Sequence, residues 1–224
     1  MIQRSFPTSP RCRQAGPVAA TFVLFLLSSF LALPSAAQEA VDGPDEVVRR
    51  VSDEILSVID THRESFDERP QDFYSAVDEQ MAQFVDYPAI ARAVMARYWS
   101  EASDAQRRRF VESFRRGLVR SYGRALLEFD QQRVDVLPVL DEHRRNGRAL
   151  VRMEITGGNG RVYPLQYSMA IEGENGPWKV RNVIVDGVNL GLTYRNQFSS
   201  AMQSGDARGD LDQVIDNWSV GVDI

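Results

Sequence analysis

The chain has 224 residues, a formal net charge of −5 and 43% hydrophobic residues. That length supports one domain with a sizeable core, and the acidic balance argues against sequence-independent nucleic-acid binding, which needs Lys and Arg to neutralise phosphates. Two histidines and a single cysteine leave little material for a metal centre or a disulfide framework.

Residues 1–37 read as a cleavable secretory signal peptide. Arg4, Arg11 and Arg13 supply the positive n-region, Val18–Leu33 is the apolar h-region, and Ser35-Ala36-Ala37 places small residues before a cut after Ala37. The leader contains three arginines and no acidic residue, so residues 38–224 carry a net −8. Cys12 precedes the h-region, leaves with the leader and is not placed for lipidation. The expected product is a single disulfide-free domain, 38–224, untethered in a bacterial-type periplasm.

Apolar residues at Val47, Val48, Val51, Ile55, Val58 and Ile59 recur at helical spacing and predict a helix over Asp45–Arg63. A second is predicted over Asp72–Phe84, and a third from near Pro88 to Trp99. Ser103-Asp104-Ala105-Gln106 has the form of a capping box. On the long helix after it, Phe110, Phe114, Leu118, Tyr122, Leu126 and Phe129 form one apolar stripe. Arg107, Arg108, Arg115, Arg116, Arg120 and Arg124 occupy the other sides.

Beyond Phe129 the period changes from helical to alternating. Asn146-Gly147, Asn159-Gly160 and Asn175-Gly176 separate apolar runs, and both residue types accept the positive φ of tight hairpins. Three turns predict four antiparallel strands, at about Arg133–Val139, Arg148–Ile155, Arg161–Ile171 and Trp178–Val185. One sheet face is apolar and needs the helices as cover, which makes the fold α+β, a four-stranded antiparallel meander packed against several helices. Two last helices are predicted at Val188–Gln203 and Asp210–Trp218, the first joined to its strand at Asp186-Gly187.

No reactive constellation emerges. His62 and His143 are far apart and set among charged residues, and Gly157-Gly158-Asn159-Gly160 reads as a hairpin rather than a phosphate loop. An enzyme acting on an apolar substrate would need a buried acid–base pair, for which the tyrosines are nearly the sole candidates. A structural adaptor would need only a filled core. The aromatic stripe and the apolar sheet face suit either a filled core or an apolar cavity, and periodicity is the same for both.

Two stretches resemble the MlaC family, also called the toluene-tolerance or Ttg family of periplasmic phospholipid carriers. They are YPAIARAVMARYWSEASDAQRRRFVESFRRGLVRSYGRALLEF (Tyr87–Phe129) and WKVRNVIVDGVNLGLTYRNQF (Trp178–Phe198). The chain departs from the family pattern at Arg181-Asn182, where members often have an acidic residue, and at Ala96, where many have glycine.

The resemblance implies an apolar lipid cavity between helices and sheet, with acyl chains inside and the head group near the mouth. Candidate lipid-binding residues on that reading are Phe110, Phe114, Leu118 and Tyr122 from the helix, with Met153, Tyr163, Tyr167, Trp178 and Val180 from the sheet. It also implies a phospholipid ligand, no cofactor and no catalysis. The implied partners are an inner-membrane ABC transporter with a periplasmic lipid-binding component and an outer-membrane lipoprotein–porin complex, the carrier maintaining outer-membrane lipid asymmetry. A hopanoid or other polycyclic lipid is the alternative cargo.

Overall fold

The computed structural model describes residues 42–127, 133–173, 176–204 and 207–218, all within the unit Ala40–Ile224. The expected leader, Phe129 of the helical stripe and Asn175 of the third turn lie outside these residues. Five helices come first: α1 (Pro44–His62), α2 (Pro70–Phe84), α3 (Tyr87–Met95), α4 (Tyr98–Glu101) and α5 (Asp104–Leu126). Strands β1 (Arg133–Val136), β2 (Arg144–Arg145), β3 (Arg148–Thr156), β4 (Val162–Ile171), β5 (Trp178–Val185) and β6 (Val188–Asn189) follow, then α6 (Leu190–Gln203) and α7 (Leu211–Asp216).

Local chemistry sets most helix ends. The capping box at Ser103 forms as expected: Ser103 Oγ accepts from the Gln106 amide at 3.2 Å, and Gln106 Oε1 accepts from the Ser103 amide at 2.8 Å. Such a cap contributes about 1 kcal/mol. Helix α2 starts at Pro70, two residues before the expected Asp72, because proline suits a first turn that has no amide to satisfy. Helix α3 stops at Met95, well short of Trp99. Ala96 there adopts φ 52° and ψ −119°, and the short α4 restarts in a new direction.

The sheet is antiparallel, in the order β1-β3-β4-β5-β6, with β2 beside β1 on the same edge of β3. Four strands carry it, and β2 and β6 add two residues each. Asn146 and Gly147, at φ 52° and 67°, close a two-residue hairpin between Arg145 and Arg148, so the first turn joins β2 rather than β1 to β3. Strand β1 ends at Val136 instead of Val139. Leu137 donates the last rung, to the Arg152 carbonyl at 2.9 Å, and Pro138 has no amide to continue. Asp186 and Gly187, at φ 48° and 83°, form another two-residue hairpin, pairing Val185 with Val188. Val188 therefore belongs to the sheet and α6 begins at Leu190, capped by Asn189 Oδ1, which accepts from the Leu192 amide at 3.0 Å.

Buried apolar residues fall into three clusters. One joins α3, α5, α6 and α7 around Phe110, Phe114, Tyr194 and Phe198. The second joins α1 to the sheet through Val48, Val51, Phe84, Val151 and Trp178. The third, Ile59, Phe73, Val77 and Val119, locks α1 and α2 to α5. Arg115 strengthens the α2–α5 contact by a bidentate pair with Asp78, at 2.6 and 2.7 Å.

Ala96 carries a positive φ without being glycine, a conformation costing roughly 1–3 kcal/mol for a residue with a Cβ. Ala96→Gly is expected to stabilise the fold by about 1 kcal/mol after the added unfolded-state entropy. Urea unfolding should show a higher midpoint at unchanged slope.

Candidate functional site

An ordinary domain has one contiguous apolar core; here three clusters surround a space they do not fill. The cavity measures about 350 Å³ and touches all three, through Phe114 and Tyr194, through Val51 and Met153, and through Ile59 and Val119. Helices α1, α2 and α5 form one side, the sheet the other, and the start of α6 an end. Among the described residues no charged side chain lines it; Ser52, Asn182 and the four tyrosines Tyr87, Tyr122, Tyr167 and Tyr194 are its polar side chains.

Of the residues singled out from sequence, Phe114, Leu118, Tyr122, Met153, Tyr167 and Val180 lie on this wall. Phe110, Tyr163 and Trp178 do not. Phe110 is a turn before Phe114 and fully buried, its ring 5.0 Å from Phe198 and 5.5 Å from Trp218. Trp178 pairs with Ile171 at the end of the β4–β5 ladder and is covered by the Arg144 guanidinium at 5.4 Å. Tyr163 pairs with Ile155 near the opposite end of β4 and is covered by Arg161 at 4.8 Å.

The sequence reading missed Asn182, Tyr194 and the whole contribution of α1 and α2. The apolar repeat Val48, Val51, Ile55, Ile59 is visible in the sequence, but spacing alone does not say that this face lines a cavity. Asn182 lies two residues beyond Val180, whereas Val183 depends on an irregularity. The β4–β5 register shifts between Ser168 and Met169, so Ser168 pairs with Asn182 and Met169 with Val180, leaving Arg181 unopposed. A bulge of this kind re-aims a side chain and brings Val183 to the wall beside Asn182. Asn182 Oδ1 accepts from the Gly191 amide at 3.1 Å. Only glycine permits that approach, because a Cβ on residue 191 would sit 2.5 Å from Asn182 Oδ1.

The tyrosines are the titratable groups of the wall. Tyr122 and Tyr194 share a hydrogen bond between their hydroxyls at 2.5 Å. Burial pushes the Tyr194 phenol far above the ordinary range and the Tyr122 bond adds to the effect. Burial alone does so for Tyr167, which is half-buried by area because the surface it keeps faces the cavity. Tyr87 is raised by burial first and by Asp78 second, against Arg115.

On α5, Arg107 bonds Asp104 and the Trp99 carbonyl, and Arg109 pairs with Asp212 and Asp216. Arg116, Arg120 and Arg124 are exposed and form no ion pair with the described residues. No helix among these residues is long and apolar enough to cross a membrane, and no group of three His, Cys, Asp or Glu side chains could hold a metal.

An unfolded chain loses tyrosine protons near pH 10, whereas the folded state keeps those of Tyr87, Tyr167 and Tyr194 beyond it. Stability is therefore level with respect to these groups below about pH 10 and falls as pH rises past it. Their tyrosinate absorbance should appear together with loss of helical circular dichroism, and Tyr194→Phe should make the alkaline transition less steep.

The MlaC protein family matches residues 49–220. The toluene tolerance protein Ttg2D of Pseudomonas putida is 39% identical over 198 residues, covering 88% of this chain and 87% of that protein. The intermembrane phospholipid transport system binding protein MlaC of Haemophilus influenzae is 23% identical over 171 residues, 76% of this chain and 78% of that one. A phospholipid-binding protein from Ralstonia solanacearum, solved with a phospholipid bound, superposes with a TM-score of 0.69 at 23% identity, covering 78% of this chain and 94% of its own. The match over most of the chain settles the family: this protein belongs to the MlaC family.

Proposed function

We propose that residues 1–37 export the chain to the periplasm and are removed, and that residues 38–224 carry a phospholipid between an outer-membrane lipoprotein–porin complex and an inner-membrane ABC transporter, maintaining outer-membrane lipid asymmetry. The observation that carries this reading is the cavity of about 350 Å³, lined without a single charged side chain among the described residues. The names of the relatives agree with it.

A methylene exposed to water costs about 0.8 kcal/mol. Two acyl chains of about fourteen methylenes each would cost on the order of 20 kcal/mol to draw through water. A protein wall that replaces the bilayer around those chains removes most of that barrier. The role is carriage rather than chemistry, since a general base is not available from phenols held protonated by burial. The lipid-binding residues proposed are those on the wall, with Phe114, Leu118, Tyr122, Met153, Tyr167 and Val180 among them.

Leu165 and Val183 face the cavity on neighbouring strands and are only partly buried. Leu165→Trp and Val183→Trp should fill it at little cost to the fold, and phospholipid transfer between vesicles should drop about tenfold or more. Unchanged transfer by folded variants would count against the cavity as the binding site.

A second expectation concerns Arg116, Arg120 and Arg124, which stand at intervals of four on α5. Like charges at that spacing repel by a few tenths of a kcal/mol per pair, a cost that docking to acidic partners would offset. Replacing all three by Glu should slow lipid exchange with the partner complexes and leave bound lipid unchanged. Loss of bound lipid would contradict a docking role.

A further inference from the structure

The cavity holds a group of polar atoms that the carriage of hydrocarbon alone does not need. The Tyr122 and Tyr194 hydroxyls bond one another. Two hydroxyls hold two protons and one bond uses one, so one proton of the pair remains to be donated. Either hydroxyl can carry it, and leaving a buried donor unmet costs about 1–3 kcal/mol.

Asn182 lines the same cavity as this pair. Gly191 and Tyr194 are three apart on α6 and so share a face, and Asn182 is fixed to Gly191. The Gly191 amide donates to Asn182 Oδ1, which settles the orientation of the side-chain amide. Its two N–H donors make no hydrogen bond to a described residue. A bulge, a glycine that a Cβ would obstruct, and a buried hydroxyl pair thus converge on the start of α6.

The unused Asn182 amide protons and the remaining hydroxyl proton of the pair call for an acceptor. A phosphate is the wrong one. Taking a phosphate into an apolar wall without a cation is costly, and no Arg or Lys among the described residues lines the cavity. A hydrocarbon chain offers no acceptor. A neutral carbonyl oxygen attached to hydrocarbon fits both conditions.

We infer that Asn182 and the Tyr122–Tyr194 pair form a subsite for an ester carbonyl of a diacyl lipid, which fixes how deeply the chains enter and leaves the phosphate outside in water. This inference rests on the phospholipid-carrier reading above. It makes Asn182, Tyr122 and Tyr194 determinants of specificity for ester-linked over ether-linked lipids.

The test compares two phospholipids with the same head group and chain lengths, one diester and one diether, by competition for the delipidated full-length mature protein. The wild type should prefer the diester about tenfold, the scale of one or two hydrogen bonds. Tyr122→Phe with Tyr194→Phe, which keeps both rings, should weaken the diester and bring the ratio close to one; Asn182→Ala should lower it partway. A folding defect would weaken both lipids and leave the ratio. Equal binding of the two lipids by the wild type overturns the subsite and leaves the carrier standing. Equal weakening of both lipids in the folded double Phe variant overturns the ester assignment in favour of the phosphate. Binding of neither lipid by the wild type overturns the carrier reading and the subsite with it.

Discussion

Apolar burial around a space that the side chains do not fill is the constraint on which the rest of this structure depends. Protein interiors normally pack to the density of organic crystals, and an unfilled volume costs roughly 24 cal/mol per Å³. At that scale a cavity of about 350 Å³ forgoes on the order of 8 kcal/mol. That is comparable to the whole stability of a typical domain. The three separate clusters are how the chain bears it: each packs tightly away from the cavity, around Phe198, around Val151 and around Phe73. An apolar ligand would restore the missing contacts, so binding and stability are linked.

The wall is held by devices on and around it. The Arg115–Asp78 pair ties α5 to α2, and Gly123 lets the two helices approach until a Cβ would sit 3.1 Å from the Tyr74 ring. Along the sheet, Val136, Met153, Leu165, Val185 and Val188 form one continuous cross-strand row. The Asp186-Gly187 hairpin completes that row and starts α6 from its edge, which places Tyr194 against α5. The family match fits this arrangement, because both quoted stretches, Tyr87–Phe129 and Trp178–Phe198, supply wall residues.

Much of the fold was legible in the sequence because local chemistry specified it. The capping box at Ser103 and the strand Trp178–Val185 appear where the pattern placed them. The errors came where two signals competed. Asp186-Gly187 was read as a joint between strand and helix because the helical pattern beyond it is strong, although the pair is also a hairpin turn. Ala96 breaks α3 with a conformation that the residue type does not announce.

The site was legible to the extent that alternation and helical spacing assign faces. Those signals put Phe114, Leu118 and Tyr122 on one side and Met153 and Tyr167 on another. They could not separate Phe110 from Phe114, which share a stripe but meet different neighbours. Val183 was out of reach, since strict alternation from Trp178 and Val180 gives it no place on the wall and only the bulge does.

The central claim is that the uncharged space between helices and sheet is occupied by phospholipid. Native mass spectrometry of residues 38–224, produced in a bacterial periplasm and purified without detergent, tests it most directly. The account predicts a mass excess equal to one phospholipid, identified after extraction. A protein that is bare, and stays bare after incubation with phospholipid vesicles, would contradict it.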